Sequence, residues 1–422
     1  MKTILLLFVT LSHGSPKRAR YTSPDSSRAV FNVGVTGRGR IIEEYNSTLV
    51  RNYYGPQLAS MLGSLTRADQ NNTAFIPLEN SMNESTLVGV LQLGQRIAVS
   101  HQSVIFALGS KVLIKYQANC IELRRQREMF EKPFLHPSVV EYAFTRRAAA
   151  FGLAPSVFAL SPPVSLFQKK EGKCNFSMTD EEFQICKMDP NSSFRYMVVQ
   201  RVIGPNLYSY RQRYPNETLP LATGMMIGEE LMRMLEQLHT TARVVHGDIH
   251  MGNIMIEKIS RESISMKFVD FARSFENIQR PPGRTFIQST HQLLSAWEMA
   301  GYYPAARDDV YRVVETVARL VNPPEYTFFM DWLGQVNPLA LLQHKLWRNV
   351  FEIPEQTSSP IDPYDPVEQV PIAESTREAI RDELKQLLSL VREMIDDVNA
   401  IPRYSEMRER FRRCRILALG TL

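Results

Sequence analysis

From Leu87 the chain falls into short apolar or alternating runs divided by small residues: LVGVLQLG, QRIAVSH, SVIFAL and KVLIKYQ. A period of two over such lengths predicts consecutive antiparallel strands. The period then changes. In HPSVVEYAFTRRAAAFG, Val140, Phe144, Ala148 and Phe151 share one helical face, and Gly152 ends the run. SVFAL and FRYMVVQRV read as two more strands, with a polar insertion near 162–193 between them. From about residue 206 helical spacing takes over. TGMMIGEELMRMLEQLHTTA is a long amphipathic helix, and RDDVYRVVETVARLV, STREAIRDELKQLLSLVREMIDDV and SEMRERFRRCRI are further helices. IMIEK and SMKFVDF flank SRES as a β-hairpin, and the Pro-rich, acidic FEIPEQTSSPIDPYDPVEQVP is a surface loop. The fold class expected is α+β: a small antiparallel sheet with one helix over 87–202, then a larger, mainly helical part over 203–415.

Composition narrows the class without deciding it. With 422 residues, 44% hydrophobic and 22% charged, the chain has the make-up of a soluble globular protein with a sizeable core. A net charge of +5 is mild for this length, and no basic stripe argues for nucleic-acid binding. The first residues, MKTILLLFVTLSHG, pair Lys2 with an apolar run from Ile4 to Leu11 and small residues at Ser12 and Gly14. That is the layout of a secretory signal peptide over 1–14, and the run is too short to span a bilayer. Asn46, Asn71, Asn83, Asn175, Asn191 and Asn216 open N-x-S/T sequons, which fits passage through the secretory pathway. So does a disulfide between Cys174 and Cys186, which share one polar segment; the alternative is free thiols. The cysteines lack the tight paired spacing of a zinc site. Residues 15–86 form an N-terminal extension. Its first part, to about residue 30, is polar, basic and expected to be disordered.

The chemistry concentrates in VVHGDIHMGNIMI, residues 244–256. His246 and His250 stand four apart, but Gly247 and Gly252 make a helix there improbable, and the helical zinc motif wants Glu directly after the first His. The alternative places the chemistry on Asp248 and Asn253. His246, Asp248 and Asn253 fit H-x-D-x-x-x-x-N, and Asp270, Phe271 and Ala272 fit D-F-G with Ala for Gly. In this order the motifs resemble the catalytic loop and magnesium-binding turn of the protein-kinase-like superfamily.

The resemblance implies a two-lobed fold with a set of roles. Asp248 would orient the acceptor hydroxyl and accept its proton, Asn253 and Asp270 would hold Mg²⁺, and His246 would be structural. Lys115, in KVLIKY, would hold the ATP phosphates, with Glu141 on the next helix as its partner in preference to Glu128 or Glu131. Glu298 in SAWEMAG and Asp309 in RDDVYRVV stand where the family places two structural acids. MVVQRVIGPNLYSY, with Gly204, Pro205 and Leu207, is similar to the hinge of the casein kinase I and vaccinia-related kinase group. HGDI and IPRYSEMRERF also resemble that group, and the collinear match runs from about residue 87 to 415. The partners implied are ATP and a protein substrate, with no nucleic acid.

The chain departs from the pattern in three places. Ala98, Ser100 and Ser103 stand where the family has its phosphate-covering glycines. Small residues still let backbone amides face phosphate, with less freedom for close approach. GVTGRG, residues 34–39, lies too far upstream of Lys115 to replace them. His250 takes the place of a lysine, as in the H-G-D-x-H-x-x-N form of small-molecule phosphotransferases. Its imidazole would meet the γ-phosphate and would be a fuller cation in an acidic lumen. Ala272 replaces the glycine of D-F-G. Three readings follow: a secreted or lumenal Ser/Thr protein kinase, a small-molecule phosphotransferase, and a pseudokinase scaffold with impaired nucleotide binding.

Overall fold

The computed structural model describes residues 51, 54–58, 60, 95–99, 103–119, 135–161, 164–165, 193–260, 262–278, 305–322, 373–396 and 400–420. Every described residue lies within the unit Gly34–Leu422. The expected signal peptide, the LVGVLQLG strand, Ser100, Cys174, Cys186, Glu298, the acidic Pro-rich loop and the sequons at Asn46, Asn71, Asn83, Asn175 and Asn191 lie outside the described residues.

The smaller lobe is an antiparallel sheet built by the predicted alternation. Its strands are β1 (Gln95–Val99), β2 (Ser103–Leu108), β3 (Val112–Ala118), β4 (Val157–Leu160), β5 (Val164–Ser165) and β6 (Ser193–Gln200). Their order is β1-β2-β3-β6-β4, with β5 also on β6. Helix α1 (Pro137–Ala149) packs against β3, β4 and β6. Its start is well defined: the His136 Nδ1 accepts the Ser138 N–H at 3.2 Å, and Pro137 occupies the first turn, where no N–H is missed. Val139, Val140, Tyr142, Phe144 and Ala148 bury its apolar side.

The connection to the larger lobe runs through Gly204-Pro205-Asn206. A Cβ at Gly204 would run into the Ile256 carbonyl, so this crossing requires glycine. The Pro205 carbonyl accepts the Ile256 N–H at 2.9 Å. Asn206, standing where the resembling hinge has Ser, caps α2 (Leu207–Arg211) by accepting the Ser209 N–H at 2.8 Å.

Helix α3 (Leu221–Glu236) is the axis of the larger lobe and continues into a π-turn over Gln237–Thr241. It packs on α4 (Ala306–Leu320) and α6 (Tyr404–Ala418), while α5 (Glu374–Asp396) covers α6. Burying Met407 and Phe411 of α6 stabilises this docking by ~1.5–3 kcal/mol per side chain. The remaining strands, β7 (Val244–Val245), β8 (Ile254–Ile259), β9 (Ile264–Phe268) and β10 (Phe275–Glu276), bracket the H-G-D loop. β8 and β9 form the predicted hairpin, and β7 pairs with β10, tying Val245 to Phe275.

Part of the N-terminal extension belongs to the folded body. Tyr54 and Leu58 are buried in the core, and Glu276 of β10 accepts the N–H groups of Gln57 at 2.8 Å and Leu58 at 3.2 Å. Arg147 of α1 lies 3.9 Å from the same carboxylate. Among the described residues, no helix is long and apolar enough to cross a membrane, Cys414 is a buried free thiol, and Asn216 is exposed in a left-handed turn.

Candidate active site

The period-two pattern places Lys115 mid-strand, opposite Ile105 of β2 and Met197 of β6. Its Nζ donates to Glu141 Oε2 at 2.7 Å and to Asp270 Oδ1 at 3.1 Å. One ammonium therefore joins the sheet, helix α1 and the D-F-A turn of the larger lobe. Burial disfavours the charged Lys115, but Asp270 and Glu141 together outweigh it and hold the ammonium above the ordinary lysine range. Burial also works against charge on Asp270. Lys115 reverses this and keeps the carboxyl below its usual range. The Asp270 side chain is 42% exposed, so it has room to take a ligand. Its φ of +65° lies in the left-handed region, unusual for a residue with a Cβ, and it turns the carboxylate back toward Lys115.

The H-G-D loop is held from below. Asp309, at the start of α4, accepts the His246 N–H at 2.6 Å and the Gly247 N–H at 3.0 Å. His239 Nε2 lies 2.9 Å from Asp309 Oδ2, and His239 Nδ1 lies 2.7 Å from the Tyr404 hydroxyl. His246 is fully buried, 4.5 Å centroid to centroid from Phe271. Its Nδ1 accepts the Asp248 N–H at 3.3 Å, so the proton sits on Nε2, which donates to the Val269 carbonyl at 3.1 Å. With both nitrogens engaged, His246 is scaffold. Gly247 has a φ of +75°, and a Cβ there would lie 2.7 Å from the Arg273 carbonyl oxygen.

Asp248 and Asn253 sit side by side in the loop. Asn253 Nδ2 donates to the Asp248 carbonyl at 3.0 Å, and its own carbonyl accepts the Val269 N–H at 3.0 Å. That bond ties Asn253 to the residue before Asp270. Among the described residues no cluster of three or more His, Cys, Asp or Glu is set to hold a metal. An amide and one carboxylate suit Mg²⁺, which takes few protein ligands and completes its shell with phosphate and water.

His250 differs from expectation. Burial, against the pull of Asp248, lowers its pKa below the ordinary histidine value, so at any given pH it carries less positive charge than an exposed histidine would. Its Nδ1 accepts the Gly252 N–H at 3.0 Å and caps the turn Met251–Asn253, leaving Nε2 to carry the ring's proton. Of the residues standing where the resemblance expects glycines, Ala98 is exposed near the end of β1, and Ser103 opens β2 half-buried.

Sequence reasoning missed three contributors. Arg273 Nη1 lies 3.3 Å from Asp248 Oδ1, and its position directly after D-F-A was the available signal. His239 and Glu276 carried no readable signal, because their partners are 70 and more than 200 residues away.

An antiparallel sheet with its lysine–glutamate pair, joined by a hinge to a helical lobe with H-G-D and D-F-A loops, decides the architecture. The fold is two-lobed and protein-kinase-like. No protein-family model matches the chain, and no curated protein does. Among solved structures it is similar to vaccinia related kinase 3, at 13% identity over 76% of this chain and 85% of that one, with a TM-score of 0.42. It is also similar to the BubR1 kinase domain, at 11% identity over 86% and 94%, TM-score 0.47. A third is the Mycobacterium tuberculosis PknI kinase domain, at 13% identity over 77% and 94%, TM-score 0.37.

Proposed function

We propose that this chain is an ATP- and Mg²⁺-dependent protein kinase acting on Ser/Thr hydroxyls, similar to the casein kinase I group, in the secretory pathway or outside the cell. The observation that carries the reading is the convergence on Lys115 of Glu141 at 2.7 Å and Asp270 at 3.1 Å. A lysine held by acids from a sheet-packed helix and from the metal turn is set to receive phosphate oxygens.

Mg-ATP supplies the transferable phosphoryl group and the charge neutralisation that lets it leave. Lys115 binds its phosphates, and Asn253 and Asp270 provide the protein's oxygens to the metal. Asp248 orients the acceptor hydroxyl and takes its proton. His246 and Asp309 hold the loop in register, so Asp248 needs little reorganisation before transfer. The secretory assignment rests on the apolar leader and the six sequons. It is checked by recovering tagged full-length protein from medium or lumen with glycosidase-sensitive mobility.

A second acceptor class is favoured by one feature: HGDIHMGN, with His250 in place of lysine, is the form of small-molecule phosphotransferases. The test incubates purified protein with γ-labelled Mg-ATP and, in parallel, a generic acceptor protein or a panel of small hydroxylated acceptors. Label entering the protein acceptor supports the kinase reading. Label entering only small acceptors moves the function to the second class, and no turnover together with no ATP-dependent thermal shift would leave a scaffold.

A further inference from the structure

Kinase-like sites place a lysine two residues after the catalytic aspartate, and here that residue is His250. Its Nδ1 is spent on the Gly252 N–H, so the ring offers one N–H where the lysine offers three. Transfer still gathers negative charge beside Asp248. The structure brings another cation there from a different segment. Arg273, three residues after Asp270, reaches Asp248 Oδ1 at 3.3 Å. The approach depends on Gly247, since a Cβ at that position would lie 2.7 Å from the Arg273 main-chain oxygen. Ser274 fixes the same segment by donating from Oγ to the His246 carbonyl at 2.8 Å. The pair is partly buried, with side chains 27% and 15% exposed, and so is less screened than a surface pair. A single contact at 3.3 Å leaves most of the guanidinium's five N–H groups unused by Asp248.

We propose that Arg273 takes over the missing lysine's work, positioning Asp248 and supplying positive charge to the transferring phosphoryl group. This rests on the phosphotransferase reading above. In the step concerned, the acceptor oxygen bonds to the γ-phosphorus, the hydroxyl proton passes to Asp248, and the bond to the bridging oxygen breaks with its electron pair leaving on ADP. Arg273 neither gains nor loses a proton; its charge offsets that of the transferring oxygens. His250 and Arg273 then form a linked pair, with Gly247 leaving room for the Arg273 main chain.

The test compares the full-length protein with Arg273→Met, Arg273→Lys and the double variant Arg273→Met/His250→Lys. Thermal shift is read with Mg-ADP alone and with Mg-ADP plus aluminium fluoride, a mimic of the transferring phosphoryl group. The unmutated protein should show a shift with Mg-ADP and a further increment with fluoride. Arg273→Met should keep the first and lose most of the second, and its turnover should fall about 100-fold with little change in the KM for ATP. Arg273→Lys should keep part of the increment, and the double variant should regain it, because a lysine at 250 restores the charge from the other side. A full increment in Arg273→Met, or no recovery in the double variant, would overturn the inference alone. Absence of any Mg-ADP shift in the unmutated protein would overturn the phosphotransferase reading and this inference with it.

Discussion

Asp309 carries the main chain of His246: its Oδ2 accepts that residue's N–H at 2.6 Å, deep under the H-G-D loop. Its other oxygen takes the Gly247 N–H at 3.0 Å, so one carboxylate satisfies two loop amides. Replacing it leaves buried donors without acceptors. Asp309→Ala should therefore cost about 3 kcal/mol of stability, read as a lower denaturant midpoint. Asp309→Asn, which keeps one acceptor oxygen, should cost less.

The support of that loop extends to the C-terminal helix. With His239 Nε2 donating to Asp309, Nδ1 accepts the Tyr404 hydroxyl at 2.7 Å. Tyr404→Phe removes only this hydrogen bond and should cost about 1 kcal/mol. Truncation before residue 400 also strips Met407, Phe411 and Cys414 from the core and should leave no soluble folded protein, checked by expression and circular dichroism.

Much of this was legible in the sequence because it is local. The strands β2, β3 and β6, helices α1 and α3 to α6, and the hairpin β8–β9 all follow from period and composition. Lys115, Glu141, Asp248, Asn253 and Asp270 were picked out by motif spacing, and the structure brings Lys115, Glu141 and Asp270 together and Asn253 against Asp248. The sites of His239, Glu276 and Arg273 depend instead on which distant segments pack together, and no period records that. The surroundings of His250, burial and the Gly252 amide, lower its pKa and occupy its Nδ1, and neither is revealed by the residue type.

Lys115→Met should show a pH signature. Burial pushes the Glu141 carboxyl up to about 7 even with Lys115 beside it, from an ordinary value of 4.5. Without the ammonium its pKa rises further. The native variant then binds a proton that the unfolded chain releases, so its stability increases as pH falls through about 7 toward 4.5. At pH 8 the variant should be about 3–5 kcal/mol less stable than the unmutated protein, as for other broken buried pairs. That deficit should shrink by pH 5, as followed by chemical denaturation at each pH. A deficit independent of pH would argue that the carboxylate is not the buried charge left behind.

The extension should matter to the fold. Leu58 is buried in the core, and the Gln57 and Leu58 amides end on Glu276. Leu58→Ala should cost about 2–5 kcal/mol. Glu276→Ala should also destabilise, by leaving those amides unpaired. A protein beginning at residue 87 should accordingly melt below the full chain in scanning calorimetry.

The central claim is that Asp248 directs phosphoryl transfer from a nucleotide held by Lys115, Asn253 and Asp270. It is tested most directly by following γ-label from Mg-ATP to an acceptor protein with the unmutated chain and with Asp248→Asn side by side. The account predicts transfer by the unmutated chain, dependence on Mg²⁺, and a loss of at least about 100-fold in Asp248→Asn with nucleotide binding retained. Equal transfer by both proteins, or none by either, would contradict it.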